Sequence, residues 1–180
     1  NTLIGGQAGD ALTDADYNVA VGVAALTGDT LGSQSTAIGY GALSTQNFTT
    51  ATNSLNTAVG YLAGEFVTTA EQTTLVGALS GDALTTGGSN VALGYQTLST
   101  ATINTANTAV GALALASMNN TGTASTFNTG IGYAAGDSIT TGVNNTLVGA
   151  LAGDALQSGD SNCFFGKDAG DSTTSGDKNI

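Results

Sequence analysis

Residues Asn145–Leu156 read NTLVGALAGDAL, Thr73–Leu84 read TTLVGALSGDAL, and the chain opens at Asn1–Leu12 with NTLIGGQAGDAL. These copies begin 72 residues apart. A finer period lies beneath them. The phrase N-T-A-V-G, in close variants, starts at Asn1, Asn18, Ser35, Asn56, Thr73, Asn90, Asn107, Asn128, Asn145 and Asn162, with a truncated copy at Asn179. Successive starts are 17 residues apart, except for two units of 21 that begin at Ser35 and Asn107. Three short units and one long one make each 72-residue super-repeat.

Positions are numbered within a unit from its first residue. Gly then occupies position 5 in all ten full units, and position 4 is always apolar. Position 8 is Ala except at Ser80 and Thr97, and position 1 is Asn except at Ser35 and Thr73. A 17-residue unit is too short for helical-hairpin repeats, which need ~33 residues or more. A Gly in every unit also disfavours helix, by about 1 kcal/mol each relative to Ala. The T-A-V phrase has strand-type alternation and β-branched residues. Seventeen extended residues trace a path of at most ~60 Å, enough for one coil closed by two or three bends. The sequence therefore predicts an all-β fold, a parallel β-solenoid of about ten 17-residue coils, two of them 21 residues long, running as one continuous segment over residues 1–180.

In such a coil equivalent positions stack ~4.8 Å apart, and ten coils make a rod ~50 Å long. The Ile/Val column at position 4 and the Ala column at position 8 are expected to point inward. The Gly column marks a bend. Asn1, Asn18, Asn56, Asn90, Asn107, Asn128, Asn145 and Asn162 are expected to form a ladder of side-chain amides that satisfies buried polar groups. The chain begins and ends within the repeat pattern, as a piece of a longer fibre would.

The repeat phrases NTAVGYLAG (Asn56–Gly64), NTAVGALAL (Asn107–Leu115) and NTGIGYAAG (Asn128–Gly136) resemble the head repeats of YadA-type trimeric autotransporter adhesins. They are equally similar to the N-T-x-[IV]-G-x-x-A-G repeats of phage tail-fibre and bacterial surface proteins. The adhesin repeat is shorter and places one more residue between Asn and Gly. The resemblance covers the whole chain and implies a β-roll in an extracellular fibre.

Composition narrows the role. The chain has 13 acidic residues, two lysines, no Arg and no His, for a net charge of −11. That charge repels phosphate backbones, so no nucleic-acid partner is expected, nor attraction to an anionic membrane. No window approaches ~18 consecutive apolar residues, so no membrane insertion is expected. Without His the commonest catalytic base is missing, and no nucleophile–base pair can be assembled. Cys163 stands in a column of Thr and Val and is read as a small core residue.

Four features are candidates for function. Position 10 is acidic at Asp10, Glu65, Asp82, Asp137, Asp154 and Asp171, and the last three fall in consecutive units. Like charges ~5 Å apart destabilise unless screened. Asp137, Asp154 and Asp171 are therefore the candidate ligands for Ca²⁺, the one cofactor considered. The plainer reading is a solvated acidic turn. Second, the extra residues of the long units fall within Thr45–Leu55 and Ala116–Phe127, and should bulge as loops recurring every ~19 Å. Third, Tyr40, Tyr61, Tyr95 and Tyr133 follow the column Gly and are read as interface residues. Fourth, Leu3, Leu75 and Leu147 recur at every fourth unit, where most other units carry Ala or Gly. They are knobs for a neighbouring rod, or fill where the core widens.

The reading these features favour is a structural segment of an extracellular or cell-surface filament, its partner another copy of itself. The alternative is an adhesin or phage-fibre module, on a virion in the latter case, that binds a glycan or surface receptor. A third reading, ice binding, starts from the Thr row at position 13 (Thr13, Thr30, Thr68, Thr85, Thr102, Thr140, Thr174). A flat array needs a second row two residues away, and neither neighbouring position keeps Thr. No enzymatic activity is expected.

Overall fold

The computed structural model describes residues 1–122 and 124–180. Each unit forms one coil, and each coil contributes one three-residue strand at positions 2–4, from Thr2–Ile4 in the first coil to Cys163–Phe165 in the tenth. These strands form a ten-stranded parallel sheet in chain order. The register follows the repeat: Val19 pairs with Thr36 across a 17-residue step, and Thr36 with Thr57 across a 21-residue step. No helix occurs among the described residues, and the β-solenoid expected from the sequence is the observed architecture.

The extra residues of the long coils bulge less than expected. In the third coil Thr52–Asn53 pairs with Gly32–Ser33 to make a second, two-stranded parallel sheet, and Phe48 is buried. Only residues 49–51 stand fully out. The seventh coil repeats the arrangement in reduced form with the bridge Thr105–Ser125. Thr123, within that loop, lies outside the described residues.

Strand alternation decides what fills the core, and its phase corrects one expectation. Position 3 points inward: Ala20, Ala37, Ala58, Leu75, Ala92, Ala109 and Leu147 are fully buried. Position 4, the Ile/Val column, therefore points outward, and Ile4, Ile38, Val76, Leu93, Ile131 and Phe165 are exposed. The Ala column at position 8 is buried as expected, with Ser80 and Thr97 bonded to each other through their hydroxyls at 3.0 Å.

The core is finished by positions 9 and 12, and position 9 explains the super-repeat. Coils with Leu at position 3 carry Gly at position 9: Leu3 with Gly9, Leu75 with Gly81, Leu147 with Gly153. Coils with Leu at position 9 carry Ala at position 3: Ala20 with Leu26, Ala37 with Leu43, Ala92 with Leu98, Ala109 with Leu115. One interior slot takes one large side chain from either side. A Cβ on Gly81 would lie 2.8 Å from Leu75 Cδ2 and 2.9 Å from Leu84 Cδ1. Leu75 and Leu147 are thus core fill and cannot be knobs for a neighbouring rod; Leu3 shares their position and is part-exposed only because it lies in the outermost coil.

Position 12 shows two solutions to one site. Met118 and Ala101 are buried in the second super-repeat. Seventy-two residues earlier stand Gln46 and Asp29, also fully buried. The Asp29 carboxylate accepts from Gly32 N at 3.0 Å, Phe48 N at 3.1 Å and Gln46 Nε2 at 2.5 Å. Gln46 Oε1 accepts in turn from Asn56 Nδ2 at 2.8 Å. A buried charge held by this many donors is tolerated; without them it would not be.

The slot rule yields a test. Gly81→Leu alone should cost on the order of 1–3 kcal/mol by overpacking, and Leu75→Ala alone about 2–5 kcal/mol by leaving a cavity. The double variant reproduces the Ala/Leu arrangement of four native coils. It should recover most of the loss, giving a coupling of at least ~1 kcal/mol in denaturant melts. Additive losses would contradict the shared slot.

Candidate functional site: ladder, acidic edge and outer sheet face

The Asn column is a clamp on the main chain more than a ladder of amides. Each Oδ1 accepts the backbone N–H at position 1 of the next coil: Asn18 N to Asn1 at 2.8 Å, Ser35 N to Asn18 at 2.7 Å, Thr73 N to Asn56 at 3.0 Å, Asn145 N to Asn128 at 2.9 Å. Apart from Asn107, whose Nδ2 donates to Thr105 O at 3.0 Å, the Nδ2 groups donate to the carbonyl 14 residues on, at the closing bend of their own coil: Asn18 to Gly32, Asn56 to Ala70, Asn90 to Asn104, Asn145 to Gly159, all at 2.7–2.8 Å. Amide-to-amide contacts are added at some steps, such as Asn107 Nδ2 to Asn90 Oδ1 and Asn162 Nδ2 to Asn145 Oδ1, both 3.1 Å. One side chain thereby closes its own coil and holds the next.

The Thr row at position 13 has a similar structural use. Thr13, Thr68 and Thr85 donate their hydroxyls to the equivalent carbonyl of the following coil at 3.0–3.1 Å, and Thr30 and Thr102 donate to Asn47 and Asn119. Asp160 and Asp177 cap the coil before each: Val143 N donates to Asp160 and Asp160 N to Asp177, both at 2.8 Å.

The acidic column at position 10 lies along one bend. Burial chiefly raises the Asp82 carboxyl above its ordinary value, with a smaller push from the Glu65 charge in the preceding coil. Burial first, then the Asp154 charge, likewise raises Asp137. Asp154 Oδ1 and Asp82 Oδ1 are buried without a hydrogen-bond partner, while Asp171 accepts from Ser172 Oγ at 3.0 Å. Asp137, Asp154 and Asp171 do share this column. Even so, among the described residues no three acidic, Cys or His side chains converge into a set able to hold a metal ion.

The outer face of the sheet was not legible in the sequence. Thr and Val at position 2 and Ile and Val at position 4 lie side by side over ten coils. Tyr40, Tyr61, Tyr95 and Tyr133 border it at position 6, each 51–56% exposed. Tyr40 and Tyr61 stack with ring centroids 5.5 Å apart. Cys163 occupies position 2 and is exposed, which corrects its reading as a core residue: the column it shares with Thr faces outward. No pocket opens among the described residues, and no helix there is long and apolar enough to cross a membrane. Comparison with protein families, curated proteins and solved structures found no match.

The acidic edge predicts a pH dependence. Raised carboxyl values mean that the fold holds these protons more tightly than the unfolded chain does. The associated stability is complete below the ordinary value of 3.8 and is lost as pH rises through the raised values. The melting temperature should climb as pH is lowered from 7 through the raised values toward 3.8. Asp137→Asn should raise it at pH 7 and flatten the slope. EDTA should leave the curve in place; a Ca²⁺-dependent rise that disappears in Asp154→Asn would instead make the column a cation site.

Proposed function

We propose that this chain is a structural segment of an extracellular or cell-surface filament, built by coils that continue end to end into further copies. The observation that carries this reading is the parallel ladder that joins every successive pair of coils. The Asn clamp supports it at most steps, with Ser35 and Thr73 standing in the column, and continues to Asn179, whose N–H bonds Asn162 Oδ1 at 2.9 Å. Cys163 N likewise donates to Asn179 O at 2.8 Å. Successive coils meet through the same strand register and bend, so another copy can be added by interactions of the kind already holding the rod. Exposed strand edges of this kind template further pairing, and repeat stacks gain stability from each neighbour interface. The polar, proline-free composition with 27 Gly suits long stacking. No enzymatic role is proposed.

The exposed tyrosines favour a second reading, a fibre module that binds a glycan or surface protein. Stacked, half-exposed phenol rings such as Tyr40 and Tyr61 present both an apolar face and a polar tip.

Negative-stain electron microscopy separates the two. The filament reading predicts rods much longer than the ~50 Å of one copy. Rods of single-copy length at every concentration, together with glycan binding lost in Tyr40→Ala/Tyr61→Ala, would replace it with the binding module.

A further inference from the structure

The outer sheet face combines three properties. Its position-4 ridge is apolar along its length, with Ile4, Ile38, Val76, Leu93, Ile131 and Phe165 exposed, tyrosines on one flank and a position-2 ridge that is Thr in seven coils on the other. Monomeric soluble proteins rarely leave so continuous a patch in water. It is also free of carboxylates. None of the 13 acidic residues falls at positions 2, 4 or 6, or at the last position of a coil, the four columns that make up and border the face. In a chain of net charge −11, this is a side on which two copies can meet without like charges opposed. Finally, it has the size of a small interface. Ten coils at ~4.8 Å and three extended residues across give about 480 Å², so two copies would bury roughly 1,000 Å² between them, the least that a specific interface needs.

We propose that this face is buried against the same face of a second copy, the two sheets packed antiparallel. The inference rests on the self-association reading only in taking a further copy as the partner; rods can stack end to end without it. A face meeting itself requires a two-fold axis, so that one patch serves both partners. Packed sheets lie ~10 Å apart, with the Ile/Val ridge of one seated between the Thr and Ile/Val ridges of the other.

Charge sets the direction. Both lysines of the chain lie at one end of the face. Lys167 follows Gly166, and Lys178 precedes Asn179. Lys167 pairs with Asp168 beside it, and among the described residues no ion pair is formed by Lys178. A parallel arrangement in register would set Lys178 of each copy against Lys167 of the other. The antiparallel arrangement carries both lysines to the first coil of the partner, where Asp10, Asp14 and Asp16 lie.

Cys163 reports on this arrangement, because it is the one thiol of the chain and sits on the face. In an antiparallel pair it lies opposite the first coil, near Thr2 of the other copy. Wild-type protein treated with a short bis-maleimide should therefore stay uncrosslinked. Val91→Cys in a Cys163→Thr background places the one thiol at mid-face, about ten coils from its counterpart in a rod stacked end to end, and should crosslink to a covalent dimer. Efficient crosslinking of the wild type through Cys163 alone would show a parallel pair and overturn the proposal. So would failure of the Val91→Cys variant to crosslink.

Mass per length by scanning transmission electron microscopy tests the pairing itself, independently of rod length. Two coils, one from each chain, per ~4.8 Å rise are expected. Val76→Lys should halve that figure, with its β-sheet circular dichroism retained. Gln157→Lys, which adds the same charge on another side, should leave it unchanged. One coil, or three, per rise in the wild type overturns the proposal. Short rods of doubled cross-section would retain it while removing the end-to-end reading.

Discussion

The structure depends on one hydrogen bond repeated along the axis, from the backbone N–H at position 1 of a coil to the Asn oxygen of the coil before. At this corner the chain turns inward, and its N–H and nearby carbonyl are buried. Buried main-chain groups left unpaired cost about 1–3 kcal/mol each. The short Asn side chain reaches both: its oxygen takes the N–H of the next coil, and its amide takes the carbonyl at the closing bend of its own. Because donor and acceptor sit on adjacent coils, the bond sets the axial step and the register together. Ser35 and Thr73 interrupt the column, and their neighbourhoods adjust. Ser35 bonds Ser54 at 2.5 Å and Gln46 at 3.0 Å, and Thr73 donates its hydroxyl back to Asn56 at 2.9 Å.

The same step constrains the bend after the strand. Gly60 has φ of 145°, and a Cβ there would lie 2.5 Å from the carbonyl oxygen of Gly77. Only glycine meets both demands. Other bends are less selective. Leu62, Leu79, Leu113 and Leu151 hold φ of 53–63° at position 7, and Tyr17, Leu55 and Phe127 hold 50–62° at the last position of their coils. Such residues are strained by on the order of 1–3 kcal/mol each. The stacked coils above and below hold them there. The interior follows from narrowness: between positions 3 and 9 there is room for no more than one large side chain per coil. Leu stands at position 3 in the first, fifth and ninth coils and at position 9 in the second, third, sixth and seventh, while the fourth and eighth carry small residues at both, and this pattern recurs every 72 residues.

Much of this was legible in the sequence. The spacing of Gly5, Gly22, Gly39 and their successors established the coil, and the Asn column announced a buried polar line. The phase of the strand was not legible. In T-A-V both Ala and Val are compatible with a core, and bulk alone favours Val. The usable signal lay in pairs: Leu75 with Gly81 against Ala92 with Leu98 shows that positions 3 and 9 fill one space, which places position 3 inside and position 4 outside. The outer face followed from that phase and so was hidden with it. The strained bends were hidden because Leu and Gln at positive φ carry no local mark; the stacking that imposes it is visible only in three dimensions.

The account stands or falls on whether the Asn oxygens hold successive coils. Residue-resolved hydrogen exchange on the wild-type protein reads this directly, at the amide hydrogens of Asn107, Asn128, Asn145 and Asn162. Each is bonded to the side chain of the preceding Asn at 2.9 Å. They should exchange as slowly as the flanking strand amides, in one cooperative group. Exchange at the rate of the exposed loop amides of Thr49 and Thr50 would show that the column does not carry the stack.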